Sequence, residues 1–318
     1  MDEQYSNSGS CRADVDVSES ANAPADQQGL HAALDDSSSC ARSGDPPAPT
    51  SRISLKHAIS VIKTFSDYKK WLVEEIGFGG MLKLPDIQKL NLRCSAWIMS
   101  RVSVSRREFR LSESKVLKFY AEDVFKVFSI PCGNRSVKGR DANINPEAIH
   151  FIKSTLEMNK TGVHSLRAAE QFLMRDINEN SSKLEKDCFQ ISFVIFVMGH
   201  VLAPTTKHNY STIDFWGAIA NTKMIQQFNW CEYVLQYLLD AVRKLKRDML
   251  INNHSTNLTR CHFFFQVFLL DNLDLGILIK PHNVLPRIID FNPDTINKML
   301  IMALDPVKGA MSYSHANL

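Results

Sequence analysis

From Ile191 to Ala203 the chain is apolar at every position except Ser192, Gly199 and His200. This run of 13 residues is too short to cross a bilayer, which takes roughly 20 apolar residues. No other window in the sequence comes closer. Ser182 and Glu185 precede it at the spacing of a capping box, so the segment reads as a helix that starts near Lys183. An apolar stripe this wide cannot lie on a surface. It has to be sealed by the stripes of other helices, and that requirement sets the fold class.

Those other helices are legible. Ser66 opens a helix carrying Tyr68, Trp71, Leu72 and Ile76, and Gly77 stops it. Helical spacing continues from Leu84 to Val102 through Ile87, Leu90, Trp97 and Ile98. Asn145 followed by Pro146 opens another helix, and Ser165 another. Asn229 and Glu232 form a second capping box before "WCEYVLQYLLDAVRKLKRDML", in which Trp230, Val234, Leu238, Ala241, Val242 and Leu245 share one face. "CHFFFQVFLLDNLDLG" is a further apolar segment with its stop at Gly276, and Asn292-Pro293 opens a last helix to about Met302. One stretch breaks the helical period. "REFRLSESKVLKFY" alternates weakly and fits two short strands joined around Ser112–Ser114. "AEDVFKVFSIP" then returns to helix before Pro131 and Gly133 break it. The reading is a mainly α, multi-helix globular domain with one short β-hairpin, free of internal repeats.

The ends differ from this body. Residues 1–50 carry nine acidic side chains against two arginines, a net of −7, while the whole chain is +3 and the remainder therefore +10. The stretch 1–52 is rich in Ser, Ala, Asp, Pro and Gly and holds almost no large apolar residue. It cannot bury enough surface to offset its ordering entropy, so a disordered acidic tail is expected. The helical domain is expected over 53–305 and a flexible tail over 306–318. The seven cysteines are scattered without a CxxC pair, which reads as reduced thiols in an intracellular protein. "MDEQYSNSGS" is not a signal peptide.

His200, His208, Asp214 and Cys231 are the residue types of a cysteine protease, with Gln226 and Gln227 upstream where an oxyanion-hole glutamine could lie. Cys231, however, sits at the second position of a strongly patterned helix with no adjacent glycine, the wrong context for that chemistry. His254, Cys261 and His262 lack the four paired ligands of a structural zinc site. "GFGG" (Gly77 to Gly80) is a helix exit without the lysine of a phosphate loop. Phe263, Phe264, Phe265 and Phe268 are too continuous for an exposed stacking platform and read as core. Two basic runs, "VRKLKR" (Val242 to Arg247) and "SRRE" (Ser105 to Glu108), read first as solvated faces, with phosphate contact or nuclear import as the alternative. No catalytic, cofactor-binding or metal-ligating residue is expected.

Taken in order, these segments resemble the plant mobile domain family, also labelled "aminotransferase-like", and its transposon-borne relatives. The resemblance runs from about Ser66 to Gly276. It rests on the hairpin followed by Glu122-Asp123-Val124, on Ile130-Pro131 with Gly133, on the apolar helix ending in "GHVLAP" (Gly199, His200, Pro204), on Trp230 with the long helix after it, and on the aromatic segment. It implies a fold-determining role for Asp123, Val124, Pro131, Gly133, Gly199, His200, Pro204 and Trp230. The family has no known catalytic set to transfer. The "aminotransferase-like" label implies no transaminase, since the lysine, phosphate cup and α/β scaffold of a pyridoxal phosphate enzyme are missing here. Some grass relatives carry a C-terminal ubiquitin-like protease, so the resemblance implies a free-standing or truncated copy. The expectation is a non-enzymatic, transposon-derived interaction module, intracellular and nuclear, linked to transposon biology or gene silencing. Its basic body would meet protein or nucleic acid, with no membrane, cofactor or small-molecule substrate. The alternatives are a protease-associated remnant with Cys231 as a divergent nucleophile, or a decayed gene fragment.

Overall fold

Four of the helix-start residues do what their type and spacing dictate. The Ser66 hydroxyl accepts from the Lys69 N–H at 3.3 Å, Asn91 from Cys94 at 3.0 Å, Asn229 from Glu232 at 2.8 Å and Asn292 from Thr295 at 2.9 Å. Each satisfies one of the donors that a helix leaves unpaired in its first turn. In this computed structural model the residues described are 48–137, 146–158, 165–204, 214–251 and 257–303. The expected acidic tail, apart from its last few residues, and the expected C-terminal tail lie outside them, as do Asn145, His208, Ile213 and His254.

Along the chain the elements are β1 (Thr50–Ser51), α1 (Leu55–Ile62), α2 (Asp67–Glu75), α3 (Leu92–Arg101), β2 (Val102–Ser103), β3 (Glu108–Arg110), β4 (Val116–Lys118), α4 (Ala121–Phe128), α5 (Pro146–Thr155), α6 (Ser165–Leu173), α7 (Lys183–Val197), α8 (Trp216–Ile219), α9 (Trp230–Leu250), β5 (Asn257–Leu258), α10 (His262–Asp271) and α11 (Pro293–Ala303). The fold is mainly helical. Helix α7 is buried along its whole C-terminal part from Cys188 to Val197, with α6 and α2 packed on it, while α10 packs on α3 and α4, and α9 on α3 and α4. The six stripe residues of α9 are all buried. Phe263, Phe264, Phe265 and Phe268 of α10 are core residues. No helix among the described residues is long and apolar enough to cross a membrane.

Several details differ from the sequence reading. The hairpin is β3–β4, with Phe109 opposite Leu117, and β2 adds a third antiparallel strand on its other side. The segment expected to be helical from Leu84 to Val102 is helical only from Leu92 to Arg101. Asn91 caps that start, and the chain ahead of it includes Pro85, which has no N–H to give a helix. Thr50 and Ser51, expected in the tail, pair in parallel with Asn257 and Leu258. The capping box at Asn229 is only half formed. The backbone N–H of Asn229 donates to Arg135 O at 2.7 Å, and the Glu232 carboxylate is taken by Arg107 at 3.0 Å. Helix α10 ends at Asp271, five residues ahead of its expected glycine stop. Gly276, at φ +56°, instead opens a short 3₁₀ turn, Gly276–Leu278.

Candidate functional site

The two basic runs are far apart in sequence, yet they face one groove. Period two in β3 sends Phe109 inward, edge-on to Trp97 at 5.8 Å, so Glu108 and Arg110 share the opposite face. On α9 the buried stripe passes through Val242 and Leu245, which leaves Arg243, Lys246 and Arg247 on its solvated side. Arg107, at the turn into β3, forks onto Glu232 in the first turn of α9 through Nη1 at 3.0 Å and Nη2 at 2.5 Å. This bidentate pair fixes the sheet against α9.

The resulting groove has a volume of about 870 Å³ and is lined by Arg101, Arg106, Arg110, Arg243, Lys246 and Arg247, with the hydroxyls of Ser103 and Ser105 and a single carboxylate, Glu108. Glu108 is buried beneath the guanidinium groups. Arg110 contacts it at 3.0 Å and Arg106 at 3.5 Å, and the Arg110 hydrogen bond holds its carboxyl below the usual range. The one acid therefore orients two of the cations. Arg101 lies over the Trp97 ring at 5.4 Å, a cation–π attraction, and Arg243 pairs with Asp240. Cations in the C-terminal turns of α9 also suit the helix dipole.

The positions singled out by resemblance sit mostly at helix junctions. Asp123 accepts from the Tyr120 N–H at 2.9 Å, starting α4, and Val124 is fully buried. The Pro131 carbonyl accepts from the N–H groups of Trp230 at 3.0 Å and Cys231 at 3.3 Å, so it supplies partners to the first donors of α9. Gly133 donates to Phe228 O at 3.1 Å. Trp230 is fully buried, donates its indole N–H to Ile225 O at 2.9 Å and meets Phe78 and Phe215 edge-on. The Pro204 carbonyl accepts from the Arg260 N–H at 3.4 Å. Phe215 is core and Trp216 packs partly buried against it.

Cys231 is fully buried. Its thiol donates to Ile130 O at 3.3 Å, and burial pushes its pKa up, away from the thiolate a nucleophile needs. Asp214 accepts from the hydroxyls of Tyr233 and Tyr237. None of the five described cysteines is in a disulfide.

His200 has different company from that expected. It lies in a single π-helical turn, Met198–Leu202, that continues α7. A Cβ on Gly199 would lie 2.1 Å from Leu166 Cδ2, so any larger residue here would have to displace the Leu166 side chain of α6. One helical turn beyond Leu166 stands Glu170, whose carboxylate accepts from His57 Nε2–H of α1 at 3.0 Å. The rings of His57 and His200 are 5.0 Å apart. The linear order draws attention to Cys261 and His262, not to this trio. Its one linear signal is the Gly-His at the end of an apolar helix.

His262 itself is a buried structural imidazole. Its Nε2 meets the Ser51 hydroxyl at 2.7 Å and its Nδ1 the Ser95 hydroxyl at 2.8 Å, so both nitrogens are engaged. Burial lowers its pKa to about 3. A native state that resists protonation, against an unfolded state that accepts it below about 6.5, loses stability as pH falls through that window. The slope at full effect is about 1.4 kcal/mol per pH unit. Urea unfolding between about pH 6.5 and 4.5, above the range where most carboxylates titrate, should show this loss. His262→Gln should flatten the dependence; an unchanged slope would remove His262 as its source.

The architecture thus defines a small helical domain with a three-stranded sheet and a basic groove. The chain belongs to the family described as Domain of unknown function (DUF8566), whose model matches residues 51–266. That span holds both walls of the groove and the His57, Glu170 and His200 cluster. No curated protein and no solved structure matches the chain.

Proposed function

We propose that this protein is a non-enzymatic helical interaction module that grips the phosphate backbone of a nucleic acid in the groove between β3 and α9. The observation that carries the reading is that six cationic side chains line one groove, two of them paired with its single carboxylate. Guanidinium groups bind phosphate oxygens in bidentate fashion, and hydroxyls such as those of Ser103 and Ser105 add neutral donors. Backbone contacts of this kind position a nucleic acid without reading its sequence. The resemblance to plant mobile domain proteins supports a nuclear, transposon-derived setting linked to transposon biology or gene silencing. The protease alternative draws no support from Cys231, a buried thiol bonded to a backbone carbonyl.

The test is a salt series. Binding of the full chain to duplex DNA should weaken linearly in log–log form with a slope near −5, because six phosphate contacts contribute about 0.9 each. Single strands should give about −4, at about 0.7 each. Absence of retention at low salt, or a slope near zero, would leave a protein partner as the reading.

A further inference from the structure

We propose that His57, Glu170 and His200 form a binding site for one divalent transition-metal cation of the zinc class, with water completing its coordination shell. The three residues come from α1, α6 and the π-helical turn after α7, and their ligand atoms lie within 4.8 Å of one another. In a tetrahedral shell with bonds of about 2.0–2.1 Å, donor atoms sit roughly 3.3 Å apart. The His57–Glu170 contact of 3.0 Å is already at that spacing. Closing the rest takes small side-chain rotations.

The donor set also selects the ion. Two imidazoles and one carboxylate suit zinc, cobalt, nickel and iron, whereas magnesium and calcium prefer oxygen alone. Three protein ligands leave at least one position for water, the pattern of an open rather than a closed structural site. The side chains of His57 and Glu170 are 40% and 32% exposed, so an ion can enter and water can reach it.

A plain ion pair does not account for the arrangement. One histidine is enough to pair with Glu170, and a second imidazole at 5.0 Å would repel the first whenever both were protonated. As neutral donors to a cation, the two imidazoles cooperate. Packing and a backbone hydrogen bond bring them together. Leu166 presses on Gly199, the His200 carbonyl accepts from the Ser54 N–H at the start of α1 at 2.9 Å, and the His200 ring packs on Phe196 at 4.6 Å. A π turn is itself a frequent mark of functional positions.

The experiment titrates the untagged full chain, stripped with a chelator, with Zn²⁺ by calorimetry and with Co²⁺ by its visible d–d absorption. One equivalent should bind and raise the thermal midpoint. His57→Ala and Glu170→Gln should each weaken binding by at least the roughly 10–100-fold that loss of a mere outer-shell partner costs. X-ray absorption of the zinc-loaded wild type should show a nitrogen and oxygen shell with imidazole scattering. Variants that titrate like wild type, a shell containing sulfur, or no bound equivalent would each overturn the assignment. Because these residues do not line the groove, groove variants should keep the metal, which separates failure of this site from failure of nucleic-acid binding.

Discussion

Gly133→Ala should cost about 4 kcal/mol of folding stability and leave little of the protein folded under mild denaturing conditions. A Cβ at this position would stand 2.1 Å from Gln227 O and 2.3 Å from Gln227 C, both backbone atoms. No rotamer change relieves a clash with backbone, so the two segments must separate. Separation also strains three hydrogen bonds, from Gly133 N–H to Phe228 O at 3.1 Å, Arg135 N–H to Gln227 O at 3.0 Å and Asn229 N–H to Arg135 O at 2.7 Å. Overpacking costs about 1–3 kcal/mol and each lost hydrogen bond about 0.5–1.5. The sum is a large share of a domain's usual stability of about 5–15 kcal/mol. Urea unfolding followed by circular dichroism measures it. Gly276→Ala is the contrast, since an added Cβ there meets nothing within 4 Å and only its φ of +56° is strained, at about 1–2 kcal/mol. Equal stability of the Gly133 variant and wild type would show that the junction yields.

The same junction explains what the sequence could and could not disclose. Signals that act within one turn of helix were readable: Ser66, Ser182, Asn229 and Asn292 each accept the N–H three residues on, because a cap is a local bond. The buried stripe of α9 was readable because its period is local too. Strands of two residues were not. Val102–Ser103 and Thr50–Ser51 have no alternation to detect and exist only because a partner strand is presented to them. At Asn229 the local pattern was present but lost to tertiary contacts, since Arg107 is a stronger partner for Glu232 than a backbone N–H. The candidate sites follow the same rule. Both basic runs were visible as runs, but their convergence depends on Arg107 reaching Glu232 across the sheet. His57 and Glu170 are single polar residues on amphipathic helices. Nothing in the linear order joins them to His200, because the close approach is made by Leu166 on Gly199.

The largest functional effect is expected from the groove. Replacing Arg106, Arg243, Lys246 and Arg247 together by alanine should lower affinity for duplex DNA about 4,000-fold at about 0.1 M salt, because each phosphate contact contributes a factor of roughly 10^0.9 there. The log–log salt slope should shrink by about 3.6, again at about 0.9 per contact. These side chains lie on the solvated faces of α9 and of the turn before β3, so the core beneath them is untouched and thermal stability should hold. Lys244→Ala supplies the decisive comparison. Lys244 is an exposed cation on the same helix, within three residues of Arg243, Lys246 and Arg247, but it does not line the groove. If bulk positive charge drew the polyanion, losing Lys244 would cost as much as losing any one of its neighbours. If the groove holds the phosphates, Lys244→Ala should bind nearly as wild type while Arg247→Ala alone loses close to tenfold. Equal effects at the two positions would mean attraction without a seat, and the arginines held at Glu108 and Trp97 would then have no part in binding.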